Sequence, residues 1–260
     1  MGCCSSRHLD HKSCDELIHN SENYLGLFKC KSIDIDRITH RNSYNLQMSQ
    51  IQFELSCRNL GINYKDPIIS DFFMQIYNQN EYSYSVREFT LLGIFLGIGT
   101  KEEKIQLLFQ NYDIDASKTL AYEEIQTMLK DICRISFQYL PSLALRLCTS
   151  EERPSIEKYK LQLRRFRNST IKVYLEIIFE DVGNEITMDE FKKLFEKPII
   201  GNLINASSLR MYSKNLYAAV RNQVEAVKAI IANPELIDKE MMDKLESTKL
   251  KRKMTKTELG

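Results

Sequence analysis

Six residues in the stretch DIDASKTLAYEE carry the clearest chemistry in this sequence. Asp113, Asp115, Ser117, Thr119, Ala121 and Glu124 stand at positions 1, 3, 5, 7, 9 and 12 of a twelve-residue run. At that spacing a loop can wrap six to eight oxygens around a hard divalent cation, Ca²⁺. Asp113 and Asp115 would give carboxylates, Ser117 a hydroxyl and Thr119 its main-chain carbonyl. Water would serve at Ala121, and Glu124 would close the shell with both oxygens. Position 6, where the backbone turns through positive φ, holds Lys118 instead of Gly. That substitution costs about 1 kcal/mol and adds a cation, so a single site of about 10⁻⁵ M or weaker is expected.

A second group of reactive residues opens the chain. Met-Gly-Cys-Cys-Ser-Ser fits the myristoylation pattern, with Gly2 as acceptor and Ser6 as the hydroxyl. One myristoyl chain anchors only marginally, and Cys3 and Cys4 are placed to take palmitate as the second anchor. The expected location is the cytosolic face of a membrane.

Helical patterns must present the loop. Ile105, Leu108, Phe109 and Tyr112 precede it at i, i+3, i+4, i+7, and Ile125, Met128, Leu129 and Ile132 follow it in the same rhythm. Thr100 and Glu103 form a capping box for the entering helix, and Ser13 to Glu16 could cap a short first helix. The loop is also one of a series. Its last position and the apolar residue after it recur as Gln52-Phe53, Glu88-Phe89, Glu124-Ile125 and Glu190-Phe191, the first three 36 residues apart. Four residues before each acidic or amide position stand Met48, Tyr84, Leu120 and Ile186, where a short pairing strand belongs. Ser49, Ser85 and Thr187 are N-caps with Gln52, Glu88 and Glu190. These columns describe four EF-hand units. Position 1 is Arg41, Tyr77 and Phe179 in the other three, so calcium is expected at the third alone.

Composition narrows the class. The chain has 260 residues, net charge +1, no Trp, nine Gly and five Pro. This balance points to a helical globular protein and gives no reason to expect nucleic acid as a partner. The seven cysteines form no CxxC pair, which reads as free thiols in a reducing compartment. Leu91 to Ile98 is too short to span a bilayer; its Gly93 and Gly97 read as a helix end and linker. His8, His11, His19 and His40 lack an acid or nucleophile partner, so no enzyme is expected.

Between Glu124 and Glu190 the chain exceeds the repeat by thirty residues. The excess, about 136–170, holds Arg153, Lys158, Lys160, Arg164, Arg165 and Arg167. It reads as a solvated face in a variable linker, or as a surface lying on anionic lipid. After Pro198, Leu216, Val220, Val224, Val227 and Ile231 form one apolar stripe of a helix from about Ser207 to Ala232.

The run from Gly97 through Lys101-Glu-Glu-Lys to Tyr112-Asp-Ile-Asp115 resembles the neuronal calcium sensor and calcineurin B-like group, and is similar to calaxin-type proteins, over residues 25–196. The resemblance implies an all-α protein of two paired lobes, with a target helix held in an apolar groove. The expected organisation is an acylated, largely disordered 1–24, a first pair over 25–98, a second over 99–196 and a helical extension over 197–260. The function implied is a membrane-anchored calcium sensor or regulatory subunit. A calcium-independent adaptor and a constitutive subunit of a phosphatase or kinase stay open as alternatives.

Overall fold

The computed structural model describes residues 13–180 and 183–217. Gly2, Cys3 and Cys4 lie outside them, as does the C-terminal stripe beyond Leu216. Contacts separate a body through Lys214 from a second unit starting at Asn215, of which residues 215–217 are described and helical.

Helices dominate the described chain. In order they are α1 (Cys14–Glu22), α2 (Ser32–Arg41), α3 (Gln50–Asn59), α4 (Pro67–Phe73), α5 (Val86–Leu96), α6 (Lys101–Tyr112), α7 (Tyr122–Arg134), α8 (Leu140–Leu147), α9 (Arg153–Ile178), α10 (Met188–Leu194) and α11 (Pro198–Gly201). Residues 206–217 are helical as well. The sheets are minimal: β1 (Gln47–Met48), β2 (Tyr77–Asn78) and β3 (Ser83–Ser85) form one, β4 (Thr119–Ala121) and β5 (Glu185–Thr187) the other.

Those short strands pair the repeat columns. Met48 faces Tyr84 across β1 and β3, and Leu120 faces Ile186 across β4 and β5, both antiparallel. All four side chains are buried. Each pair therefore seals the top of an apolar cluster while its backbone groups satisfy one another. Beneath the first pair, Phe53 stacks on Tyr84 (3.9 Å between centroids) and meets Phe73 edge-on at 5.1 Å. Beneath the second, Phe109 meets Phe191 at 5.5 Å.

The expected caps form. Thr100 with Glu103, Ser49 with Gln52 and Thr187 with Glu190 make reciprocal capping boxes. Ser85 accepts from the Glu88 N–H (3.3 Å), but the Glu88 carboxylate turns inward to Arg134 (2.9 Å). Pro67 at the start of α4 follows Asp66, whose carboxylate accepts from the Ile68 and Ile69 N–H groups.

Two expectations change. Residues 14–22, assigned to a largely disordered segment over 1–24, are a capped helix with Ile18 fully buried, lying along α8. The insert over 136–170 is core, not a solvated linker. α7 runs through a π-turn (Ile135–Tyr139) into α8, and α9 buries Ile156, Tyr159, Leu163 and Phe166. Those positions recur every three or four residues, so one face of α9 is apolar while the cations ride on the other. Gly97 caps the end of α5 at Leu96 before the linker to α6, as expected, and Gly93 adds a close packing contact. A Cβ on Gly93 would stand 2.8 Å from Ile35 Cγ2, and Ser32 Oγ donates to the Gly93 carbonyl (2.9 Å), so α2 crosses α5 backbone to side chain. α5 is consequently a buried central helix. Among the described residues, no helix is long and apolar enough to cross a membrane.

Candidate metal centre

α6 ends at Asp113, whose N–H donates to the Phe109 carbonyl (3.0 Å). From there the chain folds back over its own carboxylates. Lys118 N–H donates to Asp113 Oδ2 (3.2 Å), and Ser117 N–H donates to Asp115 Oδ1 (3.0 Å). Ser117 Oγ lies 3.4 Å from Asp113 Oδ1 and 3.1 Å from the Thr119 carbonyl oxygen. With one proton it can donate to only one of them at a time. Asp113, Ser117 and Thr119 thus aim oxygens at a common point, with Asp115 beside them. Hydrogen bonds from Ser117 hold the exposed Asp115 carboxyl below its ordinary range.

Glu124 stands apart from this group. Its Oε2 accepts from the Ala121 N–H (2.8 Å), the N-terminal donor of α7. Ala121 has no side-chain acceptor to give in return, so the cap is one-sided. Among the described residues, no three carboxylates, imidazoles or thiolates are gathered closely enough to hold a metal as they stand. The donor set suits calcium in kind, being all oxygen with three carboxylates at ligand positions. Completing the shell requires Glu124 to leave the helix terminus.

The turn passes through a left-handed residue. Lys118 has φ +69°, Tyr82 φ +50° and Leu46 φ +58°. These three residues are 36 apart, and each stands two residues before a pairing residue, Met48, Tyr84 or Leu120. No sequence signal marks Leu46 or Tyr82 as left-handed, because β-carbon crowding disfavours both there.

The sibling loops direct their side chains elsewhere. Glu88 is buried against Arg134, and burial raises its carboxyl pKa. Arg87 pairs with Asp131 (3.3 Å), and the buried Tyr112 hydroxyl donates to the same carboxylate (3.1 Å). This network joins α5, α6 and α7, so the last position of the second loop is a structural link. Gln52 and Glu190 are both spent as caps. Arg41 ends α2, and Tyr77 enters β2 with its ring 4.9 Å from that of Tyr84. Sequence reasoning missed Glu185, whose carboxylate accepts from Thr119 Oγ1 (3.2 Å) across the β4–β5 pair. Only the strand register brings it to the loop.

A cleft of about 650 Å³ opens beside the loop between α7 and α9. Tyr122, the residue after Ala121, lines it with Ile171, Leu175 and Phe179, and the Tyr122 and Phe179 rings are 5.1 Å apart. No protein-family model, curated protein or solved structure matches this chain.

Proposed function

We propose that this chain is a four-unit EF-hand protein that regulates a protein partner without catalysing a reaction, with Asp113, Asp115, Ser117, Thr119 and Glu124 as its calcium ligands. The recurrence of a left-handed, non-glycine residue at Leu46, Tyr82 and Lys118 carries the reading. Three such turns at one interval, each followed by a paired strand residue, have no simpler common cause than a repeated calcium-loop frame. In this reading calcium draws Glu124 off the Ala121 N–H. α7 begins at that point, so the pull would change the cleft it shares with α9, where a partner's apolar helix would dock.

A second reading has its own support. Glu124 already caps α7, Lys118 brings a cation, and Glu88 is committed to Arg134. Those contacts favour an adaptor, or a constitutive subunit of a phosphatase or kinase, that keeps the frame without the ion. Calorimetric titration with Ca²⁺ separates the two. The sensor reading expects one site near 10⁻⁵ M or weaker, abolished by Glu124→Gln. A flat trace up to millimolar calcium removes it in favour of the adaptor.

The membrane attachment belongs to the same proposal and rests on Gly2, Cys3 and Cys4. Metabolic labelling with a myristate analogue is expected to mark the parent chain and not Gly2→Ala. An unlabelled parent would refute acylation as the anchor.

A further inference from the structure

The basic half of α9 lines a pocket that the calcium reading does not use. Glu157, Lys160, Leu161, Arg164 and Arg167 recur at i, i+3, i+4, i+7 and i+10 and so share one face. That face meets Cys133, Phe137 and Leu145 across a pocket of about 420 Å³. The charges in it are unbalanced. Arg134 is engaged by Glu88 and Asp131. Lys160 Nζ donates to Ser142 Oγ (2.7 Å), a neutral partner. Among the described residues, Lys160, Arg164 and Arg167 have no carboxylate within ion-pairing distance, although Glu157 lies in the same lining. Arg167 Nε is buried without a hydrogen-bond partner there.

Gathering cations in a half-enclosed pocket is unfavourable unless an anion offsets it. Burial, and after it the Arg164 charge, hold the Lys160 ammonium below its ordinary range, in keeping with such crowding. Guanidinium groups match phosphate oxygens in geometry, and an ammonium adds a point charge. Cys133, Phe137, Leu145 and Leu161 give the rest of the lining an apolar side, beside Gln138 and Glu157, and Leu161 is 56 % exposed there. An inorganic anion has no use for those carbons, whereas a lipid has a phosphate beside a glycerol and acyl region.

We propose that this pocket binds the phosphate headgroup of an anionic membrane lipid. Arg164, Arg167 and Lys160 hold the phosphate. Leu161, with the half-buried Leu145, meets the apolar part at the bilayer surface. The site needs neither calcium nor N-terminal acylation.

The full chain carrying Gly2→Ala, which removes the myristoyl acceptor, is sedimented with phosphatidylcholine vesicles. These are used neat, doped with phosphatidic acid, or doped with phosphatidylserine to equal surface charge. Binding is expected with phosphatidic acid above the charge-matched phosphatidylserine. Arg164→Gln with Arg167→Gln should weaken it roughly 10- to 30-fold, from two lost cation contacts. Lys158→Gln with Arg165→Gln removes the same charge from exposed positions outside the pocket and should change binding less than about threefold. Arg164→Gln alone, at an exposed side chain, keeps the test valid should the double variant misfold. Equal losses in both double variants would overturn the proposal in favour of diffuse surface attraction. Calorimetry with soluble inositol hexakisphosphate, or with a phosphoserine peptide, tests the rival sources. Pocket-dependent binding of either, without vesicle binding, would overturn the lipid.

Discussion

Removing Arg210 should disconnect the two ends of the described chain. Its side chain is fully buried, yet it comes from the 206–217 helix and reaches back to α1. Nε pairs with Asp15, Nη2 with Glu22 at 3.0 Å, and Nη1 donates to the Ser136 carbonyl at 3.4 Å. Ser207 Oγ donates to Asp15 too. The two carboxylates are themselves largely buried, 13 % and 6 % exposed at the side chain. Arg210→Met keeps the length and apolar stem of the side chain while deleting the charge. What remains is a pair of largely buried carboxylates without their guanidinium, Glu22 keeping only the His19 ring nitrogen at 3.0 Å, a loss of about 3–5 kcal/mol. Against a total stability of about 5–15 kcal/mol, that is a large share. Urea unfolding followed by circular dichroism should show the midpoint falling by about 1–2 M. Asp15→Asn and Glu22→Gln, added to Arg210→Met, neutralise the orphaned charges and should recover at least half of the loss. A single variant within about 0.3 M of the parent, or a triple variant no better than the single, would refute the claim that uncompensated charge sets the cost.

Gly93→Ala should destabilise by about 1–3 kcal/mol, because the new methyl meets Ile35 Cγ2 at 2.8 Å inside a filled crossing. Gly201→Ala, with nothing within 4 Å, should be neutral or slightly stabilising, and equal urea midpoints for the two would contradict the packing account. His40 has its pKa raised, chiefly by the Asp36 hydrogen bond. The stabilisation is therefore fully present below the unfolded value of about 6.5 and is lost as pH rises through the higher folded value. The difference in Tm between parent and His40→Gln should shrink from pH 5.5 to 8; a difference that grows with pH would reverse the assignment.

The pairing of Met48 with Tyr84 and of Leu120 with Ile186 was legible because burial forces one apolar residue per strand at a constant offset from the cap. The core role of α9 was harder to read. Six cations dominate the composition of its first fifteen residues, while Tyr159, Leu163 and Phe166 carry the periodic signal. Arg210 was illegible, since nothing local links it to Asp15, 195 residues away. The left-handed Leu46 and Tyr82 ran against propensity outright. If the proposed function holds, that failure explains how a chain can keep a calcium-loop frame around loops with poor ligands. A strained non-glycine turn costs about 1 kcal/mol and persists where its surroundings over-determine it. Here the determining parts are the strand register and the buried Met48, Tyr84 and Leu120, all of which follow the turn and none of which is a ligand side chain. Position 1 can therefore be Arg41 or Tyr77 while the residue five places on, Leu46 or Tyr82, is left-handed like Lys118. Turn geometry and the proposed ion ligands rest on different residues, and in the proposed reading the third loop is where both sets coincide.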